Sequence, residues 1–330
     1  MGSKWDIGRK QLEDTFSSKK FLLIFGLFLL LSLGSVHIGV GEYEDEMERY
    51  ESGDTGIGNQ VPEPPSLVET FQLMVGFNLP LAAAILALLL SYNSISKERE
   101  EGTIELLLSY PVYRDEVING KFLSGLFTVA IALLVAFIAS SGYAVYRTGV
   151  APNLTEVARI GYMWLGSVVY MAFFYGLGIF LSTVFRSSRR ALITGMIILG
   201  IFLATPFIAG IASDYIYPYE DEPQPREEVE FVEGGATTEV ETFPGETSDR
   251  TDRAAVRAER DRFVDQVSRF SPSTSYTNYM GIIIGNDYDT EFPPTLGESL
   301  EQSFGYIVFL FSQTMLVFAA SYAVFMRQDL

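Results

Sequence analysis

The sequence predicts an all-α integral membrane protein with six transmembrane helices, cytoplasmic N- and C-termini and a large acidic outer loop. Three observations carry that reading. Asp, Glu, Lys and Arg are absent from six intervals: 21 residues between Lys20 and Glu42, 27 between Glu69 and Lys97, 25 between Lys121 and Arg147, 26 between Arg159 and Arg186, 23 between Arg190 and Asp214, and 25 between Glu301 and Arg327. A bilayer core needs about 20 apolar residues in a helix, so each interval is long enough to span it with some tilt. Basic residues set the orientation: 13 Lys and Arg lie in the N-terminal segment, the 94–121 connection, the 186–190 turn and the C-terminus, against three (Arg49, Arg147, Arg159) in the two short loops opposite. The basic side is the cytoplasmic one. The net charge of -18 then divides into +3 on cytoplasmic segments and -21 on outer ones.

Residues 1–20 precede the first span. Within them WDIGRKQLEDTFSSKK (5–20) sets Trp5, Ile7, Leu12 and Phe16 at near-helical spacing among charges, which suits a helix lying on the inner leaflet. The basic-then-apolar start is read as a retained span rather than a signal peptide, because Asp6, Glu13 and Asp14 interrupt its polar region and no small-x-small cleavage site follows. Spans one to five fall within residues 21–213. The first holds the only histidine, His37, which on its own reads as a packed side chain rather than a metal ligand. The loop over residues 41–69 is acidic and rich in Gly and Pro, so it is expected to be mobile or only locally ordered. Its cluster of Glu42, Glu44, Asp45, Glu46 and Glu48 lacks the spacing and glycine of a calcium loop. Gln72, Asn78 and Pro80 in the second span fit either a lined path or helix packing.

The connection over residues 94–121, SISKEREEGTIELLLSYPVYRDEVINGK, is a charged island between two apolar runs. Gly102 breaks the incoming helix and Thr103 caps a new one of about two turns. Ile104, Leu107 and Leu108 share one face of it, while Glu105 and Ser109 face away. Pro111 stops it, and Asp115 is placed to cap the third span's helix through Glu116. By pattern alone this is an amphipathic helix at the membrane surface, seated either in lipid headgroups or on a partner.

These residues carry a family resemblance. The string Glu101, Gly102, Thr103, Ile104, Glu105, Leu106, Leu107, Leu108, Ser109, followed by Pro111, Val112, Arg114, Glu116, Gly120 and Lys121, resembles the cytoplasmic loop of ABC-2 type permeases, the membrane subunits of ABC exporters. It departs at Tyr113, where that family usually has a small hydroxyl residue. The resemblance implies that the short helix is a coupling helix docked on a separate ABC ATPase subunit through Gly102, Thr103, Ile104, Glu105, Leu107, Leu108, Pro111, Arg114 and Glu116. It also implies that ATP and Mg bind in that partner and none in this chain. Two permease chains, a homodimer or a heterodimer, would pair over two ATPases in a cell membrane. The turn Phe185, Arg186, Ser187, Ser188, Arg189, Arg190 resembles the same family's second cytoplasmic contact, carried by Arg186, Arg189 and Arg190; plain anchoring on the basic side also accounts for it.

The third span is rich in Ala, Ser and Gly and suits close helix contacts. After it, Asn153, Leu154 and Thr155 form a glycosylation pattern. Mid-span aromatics Tyr170, Phe173 and Phe174 in the fourth span are expected to face a dimer partner or an amphipathic substrate. The outer segment over residues 214–303 begins without apolar periodicity, then shows an amphipathic helix over 252–270 with Arg257 and Asp261, and Asp265 and Arg269, at i,i+4. Ser271 and Pro272 end that helix, and SPSTSY resembles the approach to the last span in the ABC-2 subgroup related to nitrous-oxide-reductase maturation. The apolar patch 280–284 is expected to dip toward the membrane surface, and residues 304–326 form the sixth span.

Several function classes are disfavoured. No GxxxxGK[ST] loop, HExxH, GxSxG or cysteine/histidine pair occurs, and there is no cysteine at all. The spans carry no carboxylate or lysine, which disfavours ion-coupled carriage, and the acidic exterior disfavours nucleic acid as a partner. The alternative to an exporter permease is a non-transporting membrane anchor, or a mechanical relay that passes ATPase motion to an extracellular partner. Only six of the 23 basic residues are lysine, and acid with arginine in place of lysine resembles proteins of salt-loving archaea. Molar salt screens such a surface to within about 3 Å. We therefore expect the melting temperature of the purified chain to rise from dilute buffer to molar KCl; rapid loss of fold on adding salt would contradict this.

Overall fold

The computed structural model describes residues 16–53, 65–102, 114–217, 246–285 and 294–327, with the backbone alone for Arg114 and residues 246–254. Among these residues there is no strand. Six helical segments are long and apolar enough to cross a membrane, Lys19–Ser52, Glu69–Glu100, Asp115–Thr148, Leu154–Val184, Ser188–Ile216 and Leu296–Arg327; each contains one of the charge-free intervals, except that the fourth interval runs one residue past Val184. The protein is a multi-pass membrane protein. The interfacial helix expected over residues 1–20 lies almost wholly outside the described residues.

Helix α1 (Lys19–Ser52) has 34 residues and is about 51 Å long, well beyond a bilayer core of about 30 Å. The loop expected from residue 41 therefore starts about a dozen residues later. Tyr43, Met47 and Tyr50 keep helical spacing past the membrane, Tyr43 is buried, and Arg147 donates to both carboxylate oxygens of Glu44 at 3.2 Å. Gly53 then ends the helix at φ 65°, its N–H reaching the carbonyls of Arg49 and Tyr50. His37 Nδ1 lies 2.6 Å from the Tyr143 hydroxyl, so the lone histidine is a packed tie between the first and third spans.

The second span opens with a 3₁₀ turn (Glu69–Phe71), continues as a π-helix (Met74–Ala83) and finishes as α2 (Ala84–Ser91). Pro80 lacks an N–H and crowds the preceding turn, and the wider π turns accommodate it. Asn78 and Pro80 are buried in packing, whereas Gln72 is exposed. A short helix α3 (Ser96–Glu100) follows, then α4 (Arg114–Thr148), with Asp115 in its first turn rather than capping it from outside. We call the end of the bundle that carries α3 the elbow end.

Two compact bodies divide the chain, residues 1–203 with 272–330, and residues 204–271. The first is built around α5 (Leu154–Val184), whose most apolar stretch is 78% buried. Asn153 caps α5: its side chain accepts from the Glu156 N–H at 2.9 Å, and the Glu156 carboxylate accepts from the Asn153 N–H at 2.8 Å. The same carboxylate takes Ser66 Oγ at 2.9 Å and the Leu67 N–H at 3.0 Å, fixing the entry of the second span. The mid-span aromatics of α5 face their own chain, which corrects the expectation of a partner or substrate. Tyr170 donates to the Pro80 carbonyl at 2.7 Å, and Phe173 meets Phe202 edge-on at 5.8 Å.

Helix α6 (Ser188–Ile216) starts in this body, and its last residues lie in the second one, with α7 (Glu246–Ser268). There Arg260 pairs with Asp214 and donates to Ser213 Oγ at 3.2 Å, and Tyr217 meets Phe263 edge-on. The Asp265–Arg269 pair forms at 2.6 Å, as its spacing predicts, on a helix that begins before residue 252 and ends at Ser268.

Pro272, expected to end a helix, begins one, since α7 has already ended at Ser268. It opens α8 (Pro272–Ile284), and Tyr276, Tyr279, Met280, Ile283 and Ile284 are all buried. The patch 280–284 thus packs inside the bundle instead of meeting the membrane surface. Tyr276 stacks on Tyr170 at 4.5 Å and shares a 3.0 Å bond with Ser167; Tyr279 donates to the Tyr162 carbonyl at 3.0 Å. Arg159, itself buried, donates to the carbonyls of Ile283 and Pro294 at 2.6 Å each. Helix α8 therefore runs antiparallel to α5, from the depth of Tyr170 at mid-span to that of Arg159. The last span, α9 (Leu296–Arg327), lies along α5, where Thr314 Oγ1 reaches the Val169 carbonyl at 3.4 Å.

Close approach of α1 to the second span rests on Gly39. A Cβ placed there would lie 2.3 Å from the Thr70 carbonyl oxygen, which is backbone and cannot swing aside, while one at Gly34 would meet nothing within 4 Å. We expect Gly39→Ala to lower stability by about 1–3 kcal/mol, as overpacking does. Gly34→Ala should be neutral or stabilising, since alanine favours helix by about 1 kcal/mol. Thermal melts of both variants in detergent check this; equal melting temperatures would contradict the contact.

Candidate functional site: the elbow after the second span

The elbow is built from residues 94–102, where the chain leaves the second span. A five-residue helix is too short to hold itself in water, so α3 depends on what surrounds it. Its N–H groups at Ile95 and Ser96 both donate to the hydroxyl of Ser182, each at 2.9 Å. Ser182 belongs to α5 and is fully buried, so a side chain from another span supplies the cap that Ile95 lacks. One turn earlier, Gly178 lets the second span sit directly on α5, since a Cβ there would lie 1.9 Å from Ser91 Oγ.

Two charged residues extend the fastening. Arg99 donates to the Thr183 carbonyl at 2.9 Å, at the end of α5. Lys121 of α4 donates to the Ser94 carbonyl at 2.6 Å and pairs with Glu98 at 2.7 Å, with side chains only 12% and 25% exposed. Removing either partner leaves a half-buried charge, a cost of about 1–3 kcal/mol. Gly125 completes the joint: it lets Tyr175 of α5 lie against α4, where its hydroxyl donates to the Lys121 carbonyl at 3.2 Å.

The third attachment reaches α6. Glu100 accepts from the Ser188 N–H at 2.8 Å and from Ser188 Oγ at 3.0 Å, and Ser96 Oγ lies 2.9 Å from Ser188 Oγ. The chain after Glu100 turns at Gly102, whose φ of 68° is the left-handed conformation that glycine tolerates, and its N–H closes on the Arg99 carbonyl at 3.2 Å. Gly102 thus ends the incoming helix as its sequence predicts.

Of the other residues singled out in sequence, Thr103, Ile104, Glu105, Leu107, Leu108 and Pro111 lie outside the described residues. The backbone of Arg114 opens α4, and Glu116 is half-buried in its first turn. Arg186 is exposed on the turn between α5 and α6, and Arg189 and Arg190 are exposed in the first turn of α6. The structure brings that turn and the elbow together through Ser188, joining two segments that the sequence presents 80 or more positions apart. Ser96, Glu98, Glu100 and Ser182 were missed as site residues. Two acids spaced i,i+2 beside a span end, with a lone lysine at the start of the next span, are the signal that could have found the Glu98–Lys121 pair. Nothing in sequence marks Ser182.

Among the described residues no group of three His, Asp or Glu side chains is suited to hold a metal ion. What the elbow can do is mechanical: it binds the ends of three spans to the start of the connection that follows Gly102. Known proteins share this chain's pattern. It is 32% identical over 137 residues to "Probable ABC transporter permease protein NosY" of Stutzerimonas stutzeri, covering 42% of this chain and 44% of that one. It is 35% identical over 133 residues to the protein of the same name in Pseudomonas aeruginosa, covering 40% and 42%. The chain therefore spans under half the length of these curated relatives. The model of the family described as ABC-2 family transporter protein matches residues 5–330, almost the entire six-span chain, and the chain belongs to that family.

Proposed function

We propose that this chain is the permease subunit of an ATP-driven exporter, with its elbow and both termini in the cytoplasm. ATP and Mg bind in a separate ATPase subunit, and two permease chains, alike or related, pair over two ATPases. In this reading the helix over residues 103–109 docks in the ATPase by its Ile104, Leu107 and Leu108 face. Gly102, Thr103 and Pro111 set its ends, and Glu105, Arg114 and Glu116 supply rim contacts or caps. Arg186, Arg189 and Arg190 make a second contact.

The observation that supports this reading best is the fastening of the elbow. Only Glu101 and Gly102 separate Glu100 from the docking helix, and the residues just before it are held by α4, α5 and α6 together. A helix that merely floats in headgroups needs no such anchorage. A displacement applied at residue 103 is transmitted through bonds of 2.6–3.0 Å to three spans.

Truncating a buried leucine in a packed interface costs about 2 kcal/mol, roughly thirtyfold in affinity, whereas exposed rim charges contribute under about 1 kcal/mol. Leu107→Ala should therefore sharply reduce recovery of the co-expressed ATPase with the purified permease, Leu107→Asp should abolish it, and Glu105→Ala should leave it nearly intact. Undiminished recovery with both Leu107 variants would remove the docking role and favour a helix seated in lipid.

A further inference from the structure

We infer that Glu100 is the positioning residue through which the elbow steers the fifth span, α6; this rests on the proposed docking of residues 103–109 and assigns the direction in which its motion travels. The three attachments of the elbow differ in kind. Those to α4 and α5 run through Lys121, 12% exposed, and Ser182, fully buried; Gly125 and Tyr175 interlock α4 with α5, and Gly178 seats the second span on α5. Elbow, α4 and α5 are thereby one solid piece.

The attachment to α6 is a bracket at one end of a lightly seated helix. Only 17% of the most apolar stretch of α6 is buried, against 78% for α5, and Ile193, Ile197 and Ile201 are exposed along its first half. Packing guides it where Gly195 faces Leu88 and Leu181, and where Phe202 meets Phe173. The polar attachment at its first residue is the elbow. The Glu100 carboxylate accepts both the N–H and the hydroxyl of Ser188. That N–H belongs to the first turn of α6, where backbone donors lack helical partners and the helix dipole is positive, so an anion is the complementary group. Ser96, four residues before Glu100 and so on the same face of α3, gives the bracket a second point on the Ser188 hydroxyl. Two contacts on one residue define an angle as well as a distance. A movement of the solid piece carries Glu100 and Ser96 with it and re-aims the start of α6.

The absence of native cysteine lets introduced pairs report without background. Spin labels at Lys97→Cys and Ile193→Cys, both exposed, read the bracket, and labels at Leu165→Cys and Ile197→Cys read the tilt of α6 against α5. Distances are measured on the full chain in nanodiscs, alone and with the co-expressed ATPase, without nucleotide and with ATP and vanadate. The bracket pair should give one narrow distance in the parent chain, broaden in Glu100→Ala and broaden less in Glu100→Gln, with or without the ATPase. The tilt pair should shift by about 2 Å or more on trapping nucleotide, as coupled helices do. Glu100→Ala should lose that shift although ATPase recovery is unchanged, and Glu100→Gln should keep part of it. An equally narrow bracket distance in Glu100→Ala, a tilt pair that does not move in the parent complex, or a full tilt shift in Glu100→Ala would each overturn the inference. Failure of the parent chain to recover any ATPase would instead overturn the proposed function, and the bracket pair would still decide whether Glu100 holds α6.

Discussion

The hydroxyl of Ser182 is the constraint on which the elbow depends. A chain leaving the second span has to start a new helix at once, and the first N–H groups of any helix lack internal partners. Ile95 and Ser96 find their acceptor on a different span, so the short helix exists only while it is seated on α5. From that seat follow the reach of Arg99 to Thr183, the placement of Glu98 for Lys121, and the meeting of Glu100 with Ser188. The course of the chain up to Gly102 is set by side chains far away in sequence.

The other end of α5 is occupied in the same manner. Tyr162, Ser167 and Tyr170 hold α8 along its opposite half, and Arg159 closes on two carbonyls that flank the approach to the last span. One largely buried helix thus carries the elbow at one end and a packed, membrane-deep helix at the other. Burying Arg159 is expensive, and two charge-assisted bonds to backbone offset much of that cost. Glycines set the spacing where large groups must approach: Gly166 faces the Tyr279 ring, Gly178 faces Ser91, and Gly125 faces Tyr175.

The six spans were legible because membrane crossing imposes a long-range rule on composition, and the charge-free intervals report it directly. Interruptions of that rule were harder to read. Residues 42–51 look like a solvated loop by charge, yet Tyr43 and Glu44 find partners on a folded bundle and keep them helical. Helix α8 was hidden because Pro272, which reads as a helix stop, opens a helix with three residues between it and the end of α7; the apolar spacing of Tyr276, Tyr279, Met280 and Ile283 was the overlooked sign. At the site, Gly102 could be placed from its own chemistry. The partners of Ser182 and Ser188 could not, since a buried serine in a span has the same local sequence whether it bonds its own turn or caps another helix.

The central claim is that the segment over residues 103–109 is held out to an ATPase by an elbow fixed to α5. It is tested most directly by an electron cryo-microscopy reconstruction of the chain bound to its ATPase in a lipid nanodisc, read for the distances from Ser182 Oγ to the Ile95 and Ser96 nitrogens and for the surroundings of Leu107. The account predicts that both distances stay near 2.9 Å, with Leu107 enclosed by ATPase side chains. An elbow parted from Ser182, or Leu107 facing lipid headgroups with the ATPase bound elsewhere, would contradict it.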